Sequence, residues 1–156
     1  MSILAAAAAD ISQPLYLLDT NIISHMMVNA DGAVGKRAQQ LLLSQPERQL
    51  CTSVIVQCEL VYGLAKRPSK RLQQAYEFQI DGLLVLPLDT QVTTYYALLR
   101  AELDRIGQSI GPNDTFIAAH ALAIGAVLVT ADSDFRRVPA LRVENWLTID
   151  EETQGG

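Results

Sequence analysis

Short strand-like runs alternate with longer amphipathic segments along this chain, and that alternation restricts it to a small set of folds. Leu15 to Leu18, Leu50 to Val54, Leu83 to Leu86 and Ala126 to Val129 are brief, lack a helical period and read as buried strands. The segments between them carry apolar residues at helical spacing. Thr20 onward is helical; Val34 to Leu43 places Val34, Ala38, Leu41 and Leu42 on one face and stops at Ser44 and Pro46. Ile55 to Ala65 repeats the pattern with Val56, Leu60, Gly63 and Leu64, and Pro68 ends it. A further helix spans Ser69 to Ile80, and a long one runs from Thr90 to Ile106 with Gly107 beyond its C-terminus. After Gly111-Pro112-Asn113, Asp114 reads as a helix N-cap for Thr115 to Ile124, a segment so uniformly apolar that it should be central and buried. Val138 to Val143 offers a short final strand, with Trp146 packing nearby. The expected architecture is a three-layer α/β/α domain around a mostly parallel sheet of about five strands.

Right-handed crossovers bring all C-terminal strand ends of such a sheet to one edge, so residues far apart in sequence meet there. Four acids occupy that kind of position. Asp19 and Asp132 follow strand-like runs, Asp114 opens a helix, and Glu59 rides on a helix one turn before Gly63. Carboxylates about 5 Å apart repel by roughly 3 kcal/mol per pair at an effective dielectric near 20, so an uncompensated cluster is costly. Singly, each acid has a structural explanation as a cap, a turn residue or a solvated side chain. Together they point to a hard cation, because all-oxygen ligands favour Mg²⁺ or Mn²⁺ over zinc. Such a centre activates water and stabilises charge on the oxygens of a phosphodiester.

Composition narrows the alternatives. The 156 residues, 49% of them hydrophobic, suit one domain with a sizeable core. Residues 1–13 are expected to be a flexible leader, 14–148 the domain and 149–156 a flexible tail. The run Ala5 to Ala9 is too short to span a membrane and lacks a basic start, so no membrane association is expected. Cys51 and Cys58 have neither zinc-site spacing nor disulfide density; they read as core thiols in a reducing compartment, the cytoplasm. A net charge of −5 excludes a broad basic nucleic-acid surface but not a nuclease, whose metal-holding carboxylates add to the negative count. Basic residues cluster locally, at Lys66, Arg67, Lys70 and Arg71 and again at Arg136 and Arg137.

Other chemistries fit poorly. His25 and His120 each lie six residues after an acid, about 240° around a helix from it, and read as packing or surface residues. Tyr95 and Tyr96 could stack on bases, although a long helix more often uses such residues for packing or a dimer face. There is no Gly-rich phosphate loop, nucleophile elbow or His-Glu-x-x-His motif. A phosphatase of the haloacid-dehalogenase type requires a second Asp two residues after the first, where this chain has Asn21. A receiver-like module needs a lysine near its last strand, and no Lys follows Lys70. A catalytically silent α/β module that binds metal or a protein partner remains the alternative to an enzyme.

Four segments in order carry a family likeness: Leu17-Leu18-Asp19-Thr20-Asn21, Cys58-Glu59-Leu60-Val61-Tyr62-Gly63, Asn113-Asp114-Thr115-Phe116-Ile117-Ala118-Ala119 and Val129-Thr130-Ala131-Asp132-Ser133-Asp134-Phe135. With them the chain resembles the PIN-domain ribonuclease toxins of the VapC type from Leu15 to about Trp146. The resemblance implies Mg²⁺- or Mn²⁺-dependent endonucleolytic cleavage of RNA, with Asp19, Glu59, Asp114 and Asp132 as the metal-binding catalytic acids. Thr20 and Thr130 would orient carboxylates, Asn21 and Asn113 would join them, and Asp134 would be an auxiliary acid. Many similar toxins have Asn at the position of Asp132 and one more residue before the acid-Phe pair, so this loop is a shortened version. The resemblance further implies a homodimer, neutralisation by a VapB-type antitoxin and a structured RNA target such as initiator tRNA.

Overall fold

A computed structural model describes residues 15–46 and 49–148. The expected leader (1–13) and tail (149–156) lie outside the described residues. Five strands form one sheet: β1 (Tyr16–Leu18), β2 (Leu50–Ser53), β3 (Leu84–Leu86), β4 (Val127–Val129) and β5 (Val143–Glu144). Their order is β3-β2-β1-β4-β5, and every pairing is parallel. Six α-helices are described: α1 (Thr20–Val28), α2 (Ala33–Ser44), α3 (Val54–Lys66), α4 (Lys70–Asp81), α5 (Val92–Arg105) and α6 (Pro112–Ile124). A 3-10 helix covers Ser133–Arg137.

The connections explain the layers. From β1 the chain moves outward to β2 and β3, and right-handed crossovers put α1 to α4 on one face. It then returns across the sheet to β4, which puts α5 and α6 on the other face; these two helices pack closely together. Direction reverses between β1 and β4, the topological switch where open α/β sheets place their ligands. The two central strands justify their apolar sequences, since Leu17, Leu18, Leu128 and Val129 are fully buried. Each such side chain stabilises the fold by roughly 1.5–3 kcal/mol relative to exposure. The indole of Trp146 closes the far side against Tyr16, with ring centroids 5.6 Å apart.

The sequence expectations need correction at several boundaries. Val54 belongs to α3 and not to β2, because the Ser53 hydroxyl accepts from the Ile55 amide and caps the helix there. α6 begins at Pro112, so its cap is Gly111 and Asp114 sits inside the first turn. Proline at the first helical position has no amide to leave unsatisfied, which draws the helix start back ahead of Asp114. The last strand is only Val143–Glu144; Pro139 and Ala140, at φ 64°, interrupt the stretch before it. Cys58 is exposed, not a core thiol, because α3 buries Val56 and Leu60 and turns Cys58 outward. Cys51 is buried in β2.

Candidate active site

Asp19 leaves β1 directly into α1. Its amide donates to the Val129 carbonyl (2.9 Å), and its own carbonyl accepts from the Ile22 and Ile23 amides. The carboxylate is only 4% exposed. It accepts from the Thr20 amide (2.8 Å), the Thr130 hydroxyl (2.7 Å) and Asn21 Nδ2 (3.2 Å). Three donors from two strand ends therefore fix its orientation. Asn21 also binds Thr130 Oγ1 and accepts from the Ala131 amide, tying the loop after β4 to the start of α1.

Glu59 reaches the same place from α3: Thr20 Oγ1 donates to its Oε1 at 3.0 Å. Asp132 caps the 3-10 helix by accepting from the Asp134 amide (2.9 Å), while its own amide donates to Thr130 Oγ1 (3.1 Å). Asp114 projects from the first turn of α6, and its Oδ2 would lie 3.8 Å from a Cβ built on Gly111. Asn113, beside it, is exposed and has no hydrogen bond to these acids among the described residues. The auxiliary acid Asp134 differs from the others in having a cation, the Arg137 guanidinium, at 3.3 Å. Arg137 is one of the two adjacent arginines that stand out in the sequence, and its i,i+3 spacing from Asp134 was the signal for the pair.

Electrostatics shows the acids acting on one another. Burial pushes the Asp114 carboxyl up to about 6, helped by the fields of Asp19, Asp132, Glu59 and Asp134. Burial also raises Asp19; hydrogen bonds from Thr130 and the Thr20 amide oppose this, and Asp132 adds to it. Glu59 is raised by burial, partly relieved by Thr20 and reinforced by Asp19. Four segments thus hold a set of like charges whose ionised forms disfavour one another. Among the described residues, no three His, Cys, Asp or Glu side chains make a ready-made cage. The donor set is all oxygen and strongly anionic, which fits a hard divalent cation.

The histidines take no part. His120 is buried, with Nδ1 2.7 Å from the Ser53 hydroxyl, and burial lowers its pKa. Tyr96 packs face-on against Phe116, with centroids 4.4 Å apart.

A parallel α/β sheet with carboxylates gathered at its switch point defines a class, and the family model for the PIN domain matches residues 16–141. Ribonuclease VapC2 of Rickettsia felis is 36% identical over 138 residues, covering 85% of this chain and 98% of that protein. The tRNA(fMet)-specific endonuclease VapC of Salmonella typhimurium is 35% identical over 134 residues, covering 84% and 97%. Among solved structures, VapBC2 of Rickettsia felis bound to a promoter DNA fragment superposes with a TM-score of 0.78 at 33% identity, over 85% of this chain and 98% of that one. VapBC-1 of nontypeable Haemophilus influenzae gives 0.75 at 34%, with the same coverage. The chain belongs to the PIN-domain family, in its VapC ribonuclease branch. Nucleases of this family are in general dependent on a divalent metal.

Proposed function

We propose that the protein is the toxin of a toxin–antitoxin pair, an endoribonuclease that hydrolyses RNA phosphodiester bonds with Mg²⁺ or Mn²⁺ held by Asp19, Glu59, Asp114 and Asp132. The observation that carries this reading is the hydrogen-bonded framework at the sheet edge, where Thr20 joins Asp19 to Glu59 and Thr130 joins Asp19 to the Asp132 amide, with Asp114 raised by burial and by the fields of these acids and Asp134. When bound, a divalent cation supplies Lewis acidity toward water and phosphoryl oxygens. The chain's own residues do the positioning. Thr20, Asn21 and Thr130 hold the Asp19 carboxylate in one orientation, and Thr20 ties Glu59 to the same framework. In the metal-free protein burial and the neighbouring acids push Asp114 up to about 6, a strain that a bound cation would relieve. Asp134 is an auxiliary acid, already partly neutralised by Arg137.

The names of the relatives support RNA as substrate, and one of them supports a tRNA. The VapBC complexes among the structural neighbours support a VapB-type antitoxin as partner. So does an open apolar hollow of about 610 Å³ between α1, α2 and α4, lined by Met26, Ala38, Leu42, Phe78 and Leu83. Phe78 is 74% exposed there, a surface that suits a protein partner. A homodimer and a cytoplasmic setting complete the reading, the latter in keeping with the free thiols of Cys51 and Cys58.

The test is an RNA cleavage assay with purified protein and mapped ends. Cleavage in Mn²⁺ or Mg²⁺ that excess EDTA abolishes supports the reading; equal activity in EDTA, or no cleavage of any RNA with either metal, would overturn it.

A further inference from the structure

Beside the acids lies a second cavity, of about 260 Å³, between the C-terminal half of α5 and the start of α6. Leu103 and Pro112 supply apolar walls, and Tyr96, Arg100, Asp104 and Ser109 supply polar groups. Two observations join it to the candidate active site. Pro112 and Thr115, one turn apart on one face of α6, line it from the same first turn that carries Asp114 on another face. Arg137 bridges the two, pairing with Asp134 at 3.3 Å while donating to the Ser109 carbonyl at 3.3 Å.

The polar groups are arranged for a ligand with two different edges. Arg100 and Asp104 are one helical turn apart on α5, yet neither takes part in an ion pair among the described residues. Arg100 Nη1 instead donates to the Tyr96 hydroxyl (2.9 Å), and Asp104 Oδ1 accepts from Ser109 Oγ (2.8 Å). Most of the guanidinium donors and the second carboxylate oxygen of Asp104 are left for an incoming group. The stack of Tyr96 on Phe116 makes a fixed wall behind them.

We infer, resting on the ribonuclease reading above, that this cavity seats a guanine base of single-stranded RNA next to the phosphate that is cut, with Arg100 and Asp104 reading its edges. Guanine presents acceptors at N7 and O6, which suit an arginine fork, and donors at N1 and N2, which suit a carboxylate. Adenine keeps N7 but puts an amino group where guanine has O6, which breaks the two-acceptor edge, and it has neither an N1 proton nor a C2 amino group for the carboxylate. Unstacked bases in RNA are read in this way, on their Watson–Crick and Hoogsteen edges within side-chain pockets. On a chain of net charge −5, the exposed Arg100, with Arg136 and Arg137 nearer the acids, also offers local attraction for the backbone.

The test is binding, separated from cleavage. Fluorescein-labelled pentauridylates with a central guanosine, inosine or adenosine are titrated into the wild-type protein in EDTA and followed by anisotropy. The guanosine form should bind about tenfold tighter than the adenosine form, with inosine, which lacks the N2 amino group, in between. Arg100→Ala and Arg100→Gln should erase the guanosine preference over adenosine. Asp104→Ala should erase the difference between guanosine and inosine. Equal binding of all three oligonucleotides, or a preference that survives these substitutions in proteins with wild-type circular dichroism, would overturn the inference. Guanosine-selective binding by a protein that cleaves no RNA in Mn²⁺ or Mg²⁺ would sink the nuclease reading and the placement beside a cut phosphate, and would leave only a guanine-binding cavity.

Discussion

The bodies of the central strands and their C-terminal edge treat burial in opposite ways. Leu17 and Asp19 are two residues apart, at 0% and 4% exposure. Leu17 lies among Leu18, Leu128 and Val129, where burial is itself the stabilising term. At Asp19 burial penalises the charge, and Thr20, Asn21 and Thr130 offset only part of that penalty. The apolar core thus holds up an edge that would not assemble by itself. The difference separates what keeps the chain folded from what the fold is used for.

The largest expected effect breaks the edge and spares the core. Asp19→Asn should lower RNA cleavage by roughly 10³-fold or more while leaving the fold native. Because the charged form of Asp19 is disfavoured in the folded state, the same change should raise the thermal midpoint of the metal-free protein at pH 7.5. Cleavage assays and thermal melts on one preparation check both halves; a variant that loses activity by unfolding would erase the distinction. The converse change, Leu17→Ala, should cost about 2–5 kcal/mol in urea unfolding, with cleavage per folded molecule close to wild type.

Thr130→Val sits on the border between the two regions. It removes the 2.7 Å hydrogen bond to Asp19 and the oxygen that accepts from Asn21 and the Asp132 amide. Metal affinity should fall about tenfold, the scale set by residues that orient ligands, and calorimetric titration with Mn²⁺ reads it. The smallest effect is a pH trend. Folded Asp114 titrates near 6 against an ordinary 3.8, so between those values the folded state holds the proton more tightly than the unfolded chain. Stability of the metal-free protein should therefore rise as pH drops from 7.5 toward 5, by a few degrees in melting temperature. Saturating Mn²⁺ should flatten that trend, whereas a melt that is flat in EDTA would mean that burial and the neighbouring acids do not raise Asp114.

Much of the scaffold was legible because it rests on periodicity and punctuation. Pro68 and Gly125 mark helix ends, and the apolar runs at Tyr16–Leu18 and Val127–Val129 are the central strands. What escaped depended on contacts across the fold. The i,i+3 spacing of Asp134 and Arg137 was a signal for their pairing, but nothing in the sequence said that Arg137 would reach Ser109 as well. The cavity on α5 escaped because Tyr96 reads in sequence as a packing or stacking aromatic, and little singles out Arg100 and Asp104 on the same helix. Their one-turn spacing was the available signal, and it gained meaning only once α6 was laid against them. The start of α6 was misplaced because Asp114 is a good cap residue, and Pro112 at the first helical position overrode it.

The central claim is that Asp19, Glu59, Asp114 and Asp132 form one cation site to which Asp134, already paired with Arg137, contributes little. Its most direct test is calorimetric titration of Mn²⁺ into the wild type and into Asp19→Asn, Glu59→Gln, Asp114→Asn, Asp132→Asn and Asp134→Asn. Each of the first four variants should bind about tenfold more weakly, or worse, and the last should bind near the wild-type level. Binding that survives all four, or that is lost in Asp134→Asn and kept in Asp132→Asn, would contradict it.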